Sequence, residues 1–329
     1  MLYFICWMVA LASYEQSAAE PTDWMEPPGW TGNFWGPAAT LARTDGRLPP
    51  LPTTPAMAHW RDWGQGVLRE GDVVFRMGDA RALRGLFPLS RFIAKATNSA
   101  FSHTGIVAIE DGSPVVYDSS SAGVQRQSFE VWMLDCFGSL GVRRLRPEHR
   151  RHIPGVLAYC RWAFESQVPF DFEFRMDDAS LYCLELTEKA FRSQGLALSE
   201  AVRIGDWENL ADFPLTALCF VRFSGLILDR PISLDQPVYV PGNEREGVWA
   251  SPLLEQVFGP EPRCEWTTPA PRAGGVSFRG DVEMLGLVFG ELRRSYAELP
   301  ARWSSERLAP RVLAILGPNS EGGGRREPR

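Results

Sequence analysis

The chain has no C-x-x-C pair and only four histidines. Structural zinc sites draw their ligands from close Cys and His pairs, so no resident metal is expected. The six cysteines, Cys6, Cys136, Cys160, Cys183, Cys219 and Cys264, are scattered over 329 residues, which argues against a disulfide framework. One reactive thiol among several inert ones is the simpler reading. Basic charge is also short: 34 Lys and Arg stand against 40 Asp and Glu, for a net charge of −6. Nucleic-acid binding needs a basic surface to meet phosphate, so no nucleic-acid partner is expected. The apolar run from Leu2 to Ala12 has eleven residues, too few to span a bilayer. It has the length of a signal-peptide core, with Ala10-Leu11-Ala12 or Ser17-Ala18-Ala19 as cleavage positions, but no Lys or Arg precedes it and the first basic residue is Arg43. If residues 1–19 act as a signal, the protein is periplasmic or otherwise extracytoplasmic; if not, it is cytoplasmic.

What the chain does have is 45% apolar and 22% charged residues, the balance of a globular protein with a real core. It also has a histidine and a cysteine in distinctive settings. His103 opens an apolar strand in Phe101-Ser102-His103-Thr104-Gly105-Ile106-Val107. Cys183 sits near the start of a helix in Leu181-Tyr182-Cys183-Leu184-Glu185-Leu186, with Ser180 as the expected N-cap and Asp177 and Asp178 as alternatives. The end of a helix presents unpaired N–H groups and a positive dipole, which favour an anionic sulfur. An imidazole nearby can take the thiol proton and later return it to a leaving group. Cys183, Leu186, Thr187, Ala190 and Phe191 fall on one face of this helix, and Glu185, Glu188, Lys189 and Arg192 on the other.

Around these two residues the sequence reads as a mixed α+β fold, an antiparallel sheet packed against helices. Residues 1–65 hold the apolar segment and an irregular Pro/Trp-rich arm; twelve tryptophans in the whole chain are many, and Trp24, Trp30, Trp35, Trp60 and Trp63 fall here. Strands are expected at Asp72–Arg76, His103–Ile109, Pro114–Asp118, Gly123–Gln127 and Val142–Leu145, with Leu215–Leu228 and Pro237–Val240 completing the sheet. Helices are expected at Ala80–Ala96 with a break at Pro88, at Ser128–Leu134 and over 150–167. Residues 260–329 read as a linker, amphipathic helices over 281–299 and 301–316, and a disordered tail. Arg143, Arg144, Arg146, Arg150 and Arg151 with His149 and His152 form a basic cluster: a solvated turn, or a site for anionic head groups and carboxylates.

The Asp111-Gly112 turn tests the site geometrically. A two-residue hairpin pairs Glu110 with Ser113 and brings Gly105 opposite Asp118. Asp118 is then a diagonal, same-face neighbour of His103, roughly 7 Å or less between Cβ atoms, and can orient the imidazole as a third group. Tyr117 and Glu110 point to the other face. Ser120, directly opposite His103, is the second choice.

The blocks Gly71-Asp72-Val73-Val74-Phe75, Phe101 to Val107, Val116-Tyr117-Asp118 and Leu181 to Leu186 together resemble the YiiX-like permuted papain-like amidases. This family lies in the NlpC-type cysteine peptidase superfamily and is related to the lecithin–retinol acyltransferases. Phe170-Asp171-Phe172-Glu173-Phe174, Val240-Pro241-Gly242-Asn243 and Leu253 to Phe258 extend the likeness, which covers residues 66–259. The order of histidine before cysteine marks the permuted branch. The resemblance implies a circularly permuted papain-like fold, with Cys183 as nucleophile, His103 as base and Asp118 as third residue, and no organic cofactor. It implies a cysteine hydrolase acting on an amide, ester or thioester bond in a peptide, a cell-wall fragment or an acyl-lipid. The alternatives are a lipid acyltransferase or thioesterase with peripheral membrane contact, and a catalytically silent binding module. The chain departs from the family pattern twice: Asp118 stands where Glu is common, and Leu184 where Ser commonly follows the cysteine.

Overall fold

The computed structural model describes residues 42–43, 45–48, 53–260 apart from 79, 81–86, 137 and 229, and residues 280, 281, 283, 284 and 287. The apolar segment at residues 1–19, Trp24, Trp30, Trp35, Cys6, Cys264, the expected helix over 301–316 and the glycine-rich tail lie outside the described residues, as does most of the helix expected over 281–299.

A six-stranded antiparallel sheet forms the centre, in the order β4-β3-β2-β1-β5-β8. Its strands are β1 (Val73–Arg76), β2 (His103–Glu110), β3 (Ser113–Ser120), β4 (Gly123–Ser128), β5 (Leu140–Leu145) and β8 (Leu254–Phe258). Short β6 (Val202–Arg203) and β7 (Pro237–Val238) pair separately. The helices are α1 (Pro55–Val67), α2 (Leu89–Ala96), α3 (Phe129–Trp132), α4 (Ile153–Glu165), α5 (Cys183–Arg192) and α6 (Pro214–Ile227). Mixed helix and antiparallel sheet is the α+β class the sequence implied.

Pro237–Val240 does not complete the sheet as expected, because its strand β7 pairs with β6 apart from the six-stranded sheet, and two further expectations fail. The segment Leu215–Leu228 is not a strand but most of α6, begun by Pro214 at its first position, where a missing N–H costs nothing. A run apolar on all sides cannot distinguish buried strand from buried helix by periodicity. The edge strand is instead β8, paired with β5. The second failure is the arm: residues 55–67 are helical, with Pro55 at the start and Thr54 Oγ1 accepting the Met57 N–H at 3.2 Å. Trp60 and Trp63 are packing residues of this helix. Trp63 stacks on Phe129 and meets Phe258 edge-on.

Strand alternation divides the core in two. Val73, Phe75, Ile106, Ala108 and Tyr117 face the helices α4 and α5. Val74, Val107, Val116, Phe129, Trp132 and Val142 form the second face, flanked by Trp60 and Trp63. Glu110 pairs with Ser113 and Ile106 with Tyr117, the register that a two-residue Asp111-Gly112 turn dictates. Asp111 and Gly112 both have positive φ, as that turn type requires.

Gly105 lies where β2 and β3 approach closely. A Cβ there would sit 2.4 Å from Val116 Cγ1 and 3.1 Å from the Tyr117 carbonyl oxygen. Gly105→Ala must therefore push β3 away beside Asp118. We expect it to lower the unfolding free energy by about 1–3 kcal/mol, read from a denaturant midpoint. An unchanged midpoint would show that β3 yields freely.

Candidate active site

The site forms where the two faces meet at one end of the sheet. His103 is the first residue of β2, directly opposite Arg76 on β1. By alternation both belong to the face that carries Trp132. Cys183 is the first residue of α5, which packs on the other face. There the Thr104 hydroxyl approaches the Cys183 carbonyl at 3.4 Å and Thr187 Oγ1 at 3.0 Å. Thr187 also donates to the Cys183 carbonyl at 3.2 Å. Ser119 Oγ donates to the Leu181 carbonyl at 2.6 Å, tying the approach to α5 onto β3.

Asp118 is fully buried, and its Oδ2 lies 2.7 Å from His103 Nε2. The diagonal pairing read from the hairpin thus brings carboxylate and ring together. Ser120 is engaged by Gln125 instead. Tyr117 and Glu110 lie on the far face, joined by a 2.8 Å hydrogen bond from the phenol to the carboxylate. The imidazole keeps 13% of its side-chain surface open and Cys183 keeps 8%, so both are reachable only along a narrow edge.

Burial alone would push the His103 pKa down. Burial is the largest single influence and Arg76 adds to it, but the charge of the Cys183 sulfur together with the hydrogen bonds to Asp118 and to Cys183 carries the value the other way, to about 9. The ring therefore faces Cys183 and Asp118 together and holds its proton at neutral pH. Cys160 behaves differently: it is fully buried in the core, and burial raises its thiol to about 12. Burial also raises Cys136 and Cys219.

The start of α5 differs from the expected capping. Tyr182, not Ser180, Asp177 or Asp178, is the N-cap residue, and Glu185 accepts its N–H at 3.3 Å. This is the acidic half of a capping box. The polar face of α5 is also covered: Glu185 and Glu188 are fully buried. Burial lifts Glu185 to about 7 against the pull of Lys189, 3.0 Å away. Asp178 pairs with Lys189 at 2.8 Å, and Lys189 also donates to the Asp177 carbonyl, so the two acids fasten the preceding loop. Leu184 is packed in the core at 3% exposure, in the same apolar cluster as Cys183.

The basic cluster is largely consumed internally. Arg144 holds Asp72, Arg143 donates to the Trp249 carbonyl and lies over its ring, Arg146 donates to the Pro252 carbonyl, and Arg150 reaches Glu255 at 3.5 Å. Arg151 donates to His152 Nε2 at 3.2 Å.

Three neighbours of the site went unread in the sequence. Trp132 Nε1–H donates to Asp118 Oδ2 at 2.9 Å. Arg76 lies 4.0 Å from the same oxygen and 3.6 Å from Asp135. Its guanidinium covers the Trp132 ring at 4.3 Å. Arg76 follows three apolar residues on β1, and only the cross-strand register could have placed it opposite His103.

Residues 67–208 match the family described as permuted papain-like amidase enzyme, YaeF/YiiX, C92 family. A protein of Escherichia coli strain K12 called uncharacterized protein YiiX is 24% identical over 199 residues, covering 60% of this chain and 89% of that one. A solved structure described as metalloprotein yiiX from Escherichia coli O157:H7 is 22% identical, with a TM-score of 0.48 over 58% of this chain and 97% of that one. Among the described residues of this chain, no group of three or more His, Cys, Asp or Glu is placed to hold a metal ion. Over residues 67–208, then, the chain is similar to the YiiX-like permuted papain-like amidases.

Proposed function

We propose that the protein is a cysteine hydrolase that cleaves an amide bond, or an ester or thioester, through an acyl-enzyme on Cys183. The observation that carries this reading is the position of His103, with Nε2 on Asp118 at 2.7 Å and the Cys183 sulfur close enough to act on the ring by charge and by hydrogen bond. In the first step His103 holds the thiol proton and the anionic sulfur attacks the substrate carbonyl carbon. The S–C bond forms, the carbonyl π pair moves to oxygen, and the backbone N–H of Cys183 at the helix start is one donor for that oxyanion. The intermediate collapses, the scissile bond breaks, and His103 gives its proton to the departing amine, alcohol or thiol. Water then enters; His103 takes its proton, the hydroxide attacks the thioester, and the acid leaves as the sulfur is released. Asp118 keeps the ring oriented and balances its charge throughout.

The substrate is a peptide, a cell-wall fragment or an acyl-lipid. The features that favour a lipid acyltransferase are the apolar Leu184, the aromatic arm and the basic cluster. Trp60 and Trp63 of the arm pack on the body and the arginines are largely bound, so hydrolysis is the better supported of the two. Mass spectrometry after incubation with a panel of amide, ester, thioester and phospholipid substrates tests the proposal. A mass gain on Cys183 from the amide, ester or thioester members is the expected result. Acylation by phospholipid alone would favour the acyltransferase. No acylation by any member, with Cys183 no more reactive to a general electrophile than Cys160, would leave a binding module.

A further inference from the structure

We propose that Arg76 is a positioning residue of this site, sharing Asp118 with His103 and setting how firmly the imidazole keeps its proton. The inference rests on the dyad reading above and goes beyond it. Arg76 is nearly buried, at 6% exposure, on the strand beside β2 and directly opposite His103. A guanidinium is not put in such a place without compensation. Its Nη2 lies 4.0 Å from Asp118 Oδ2 and 3.6 Å from Asp135 Oδ2, its Nη1 donates to the Trp132 carbonyl, and its plane covers the Trp132 ring.

The contacts of Asp118 are lopsided. His103 and Trp132 both bond to Oδ2, and Arg76 approaches that same oxygen. Oδ1 is buried with no hydrogen-bond partner, and so is Nε of Arg76. One oxygen thus serves an imidazole, an indole and a nearby guanidinium, and Arg76 competes with His103 for its charge. Trp132 is held from both sides, by its N–H on Asp118 and by Arg76 over its ring, so Arg76 also fixes the indole that aims the carboxylate.

Among the described residues, the charged or titratable groups acting on His103 are Cys183 from α5, Asp118 from β3 and Arg76 from β1. Asp135, after α3, acts on Arg76 and leaves its own carboxylate 32% exposed. Cys136 feels both Arg76 and Asp135. Within this set Arg76 is the group whose charge opposes the imidazolium. Removing it lets His103 keep its proton to higher pH, and neutralising Asp135 does the reverse by leaving Arg76 less balanced.

The test is the pH dependence of Cys183 alkylation by iodoacetamide, followed by mass spectrometry of the intact full-length protein. A sulfur paired with an imidazolium gives a two-step profile, and the upper step reports loss of the His103 proton. In Arg76→Met the upper step is expected to move up by about half to one pH unit. Arg76→Lys keeps the charge and should stay within about 0.3 unit of the parent. Asp135→Asn, at a half-open position that does not threaten folding, should move the step down by a few tenths, on the order of 0.3 unit. If Arg76→Met does not fold, the Lys and Asn variants decide. A two-step parent profile whose upper step moves in neither Arg76→Met nor Asp135→Asn, or moves the opposite way, overturns the role of Arg76 alone. A single-step parent profile, unchanged by His103→Ala, overturns the dyad reading itself.

Discussion

Cys183→Ala is expected to abolish turnover, by about 10⁴- to 10⁶-fold, while leaving the fold in place. The size of the loss follows from the chemistry. Without sulfur no acyl-enzyme can form, and the imidazole has only water to activate. The fold survives because what Cys183 contributes to packing is mostly backbone. Its carbonyl accepts from Thr104 and Thr187, and alanine supplies the same carbonyl. Only one sulfur, at 8% exposure, is lost from the edge of the core, a change worth about 1 kcal/mol or less. His103→Ala should cost nearly as much activity, and the double variant little more than either alone, since residues that act as one unit are strongly non-additive. Cys160→Ala is the control: its thiol is buried and held neutral, and the variant should keep its activity. Hydrolysis undiminished in Cys183→Ala, measured on whichever substrate acylates the parent protein, would remove the mechanism. A loss of cooperative unfolding in that variant would show instead that the sulfur is needed for folding.

The parts of this site that were legible in the sequence are those governed by short-range rules. The Asp111-Gly112 turn fixed the β2–β3 register, and the register carried Asp118 to His103. A helix beginning at Cys183 was legible from its apolar spacing, although the cap was not: Tyr182 caps with the help of Glu185, a pairing outside the usual Ser, Thr, Asp and Asn preference. Glu185 and Glu188 were read as one polar face, and they are buried because the loops before and after α5 fold over them. That burial depends on tertiary contacts, which helical spacing does not show. The same is true of Arg76, whose neighbours come from β2, β3 and the turn after α3. The α6 segment was misread for a different reason: Leu215 to Leu228 is apolar without a period, and length should have decided for helix. The edge strand β8 carries charged and polar residues, Glu255 and Gln256, among its apolar ones, and only its pairing with β5 identifies it.

Asp72→Ala is expected to cost about 3–5 kcal/mol of folding free energy, a large share of the stability of an ordinary domain. Asp72 has no exposed surface, and both its oxygens bind Arg144 at 2.7 Å, Nε to Oδ1 and Nη2 to Oδ2. Oδ2 also accepts the Arg69 N–H at 2.9 Å, and Arg144 donates onward to the Val67 carbonyl at 2.9 Å. The pair therefore clamps the end of α1, the turn into β1 and the strand β5. Removing the carboxylate leaves a largely buried guanidinium and a backbone N–H without their acceptor. Burial raises the Asp72 pKa even with Arg144 alongside, while the bond to Asp72 raises that of Arg144, so the cost of taking the carboxylate out of water offsets much of what the pair gains. From that offset the double variant Asp72→Ala/Arg144→Met should recover a good part of the loss, because it removes the stranded charge together with its partner. Denaturant unfolding of the two single variants and the double closes the cycle. A double variant no more stable than Asp72→Ala would mean that the clamp acts through the Arg69 and Val67 backbone contacts and not through the ion pair. A single variant within about 1 kcal/mol of the parent would mean that water reaches Arg144 when Asp72 is gone.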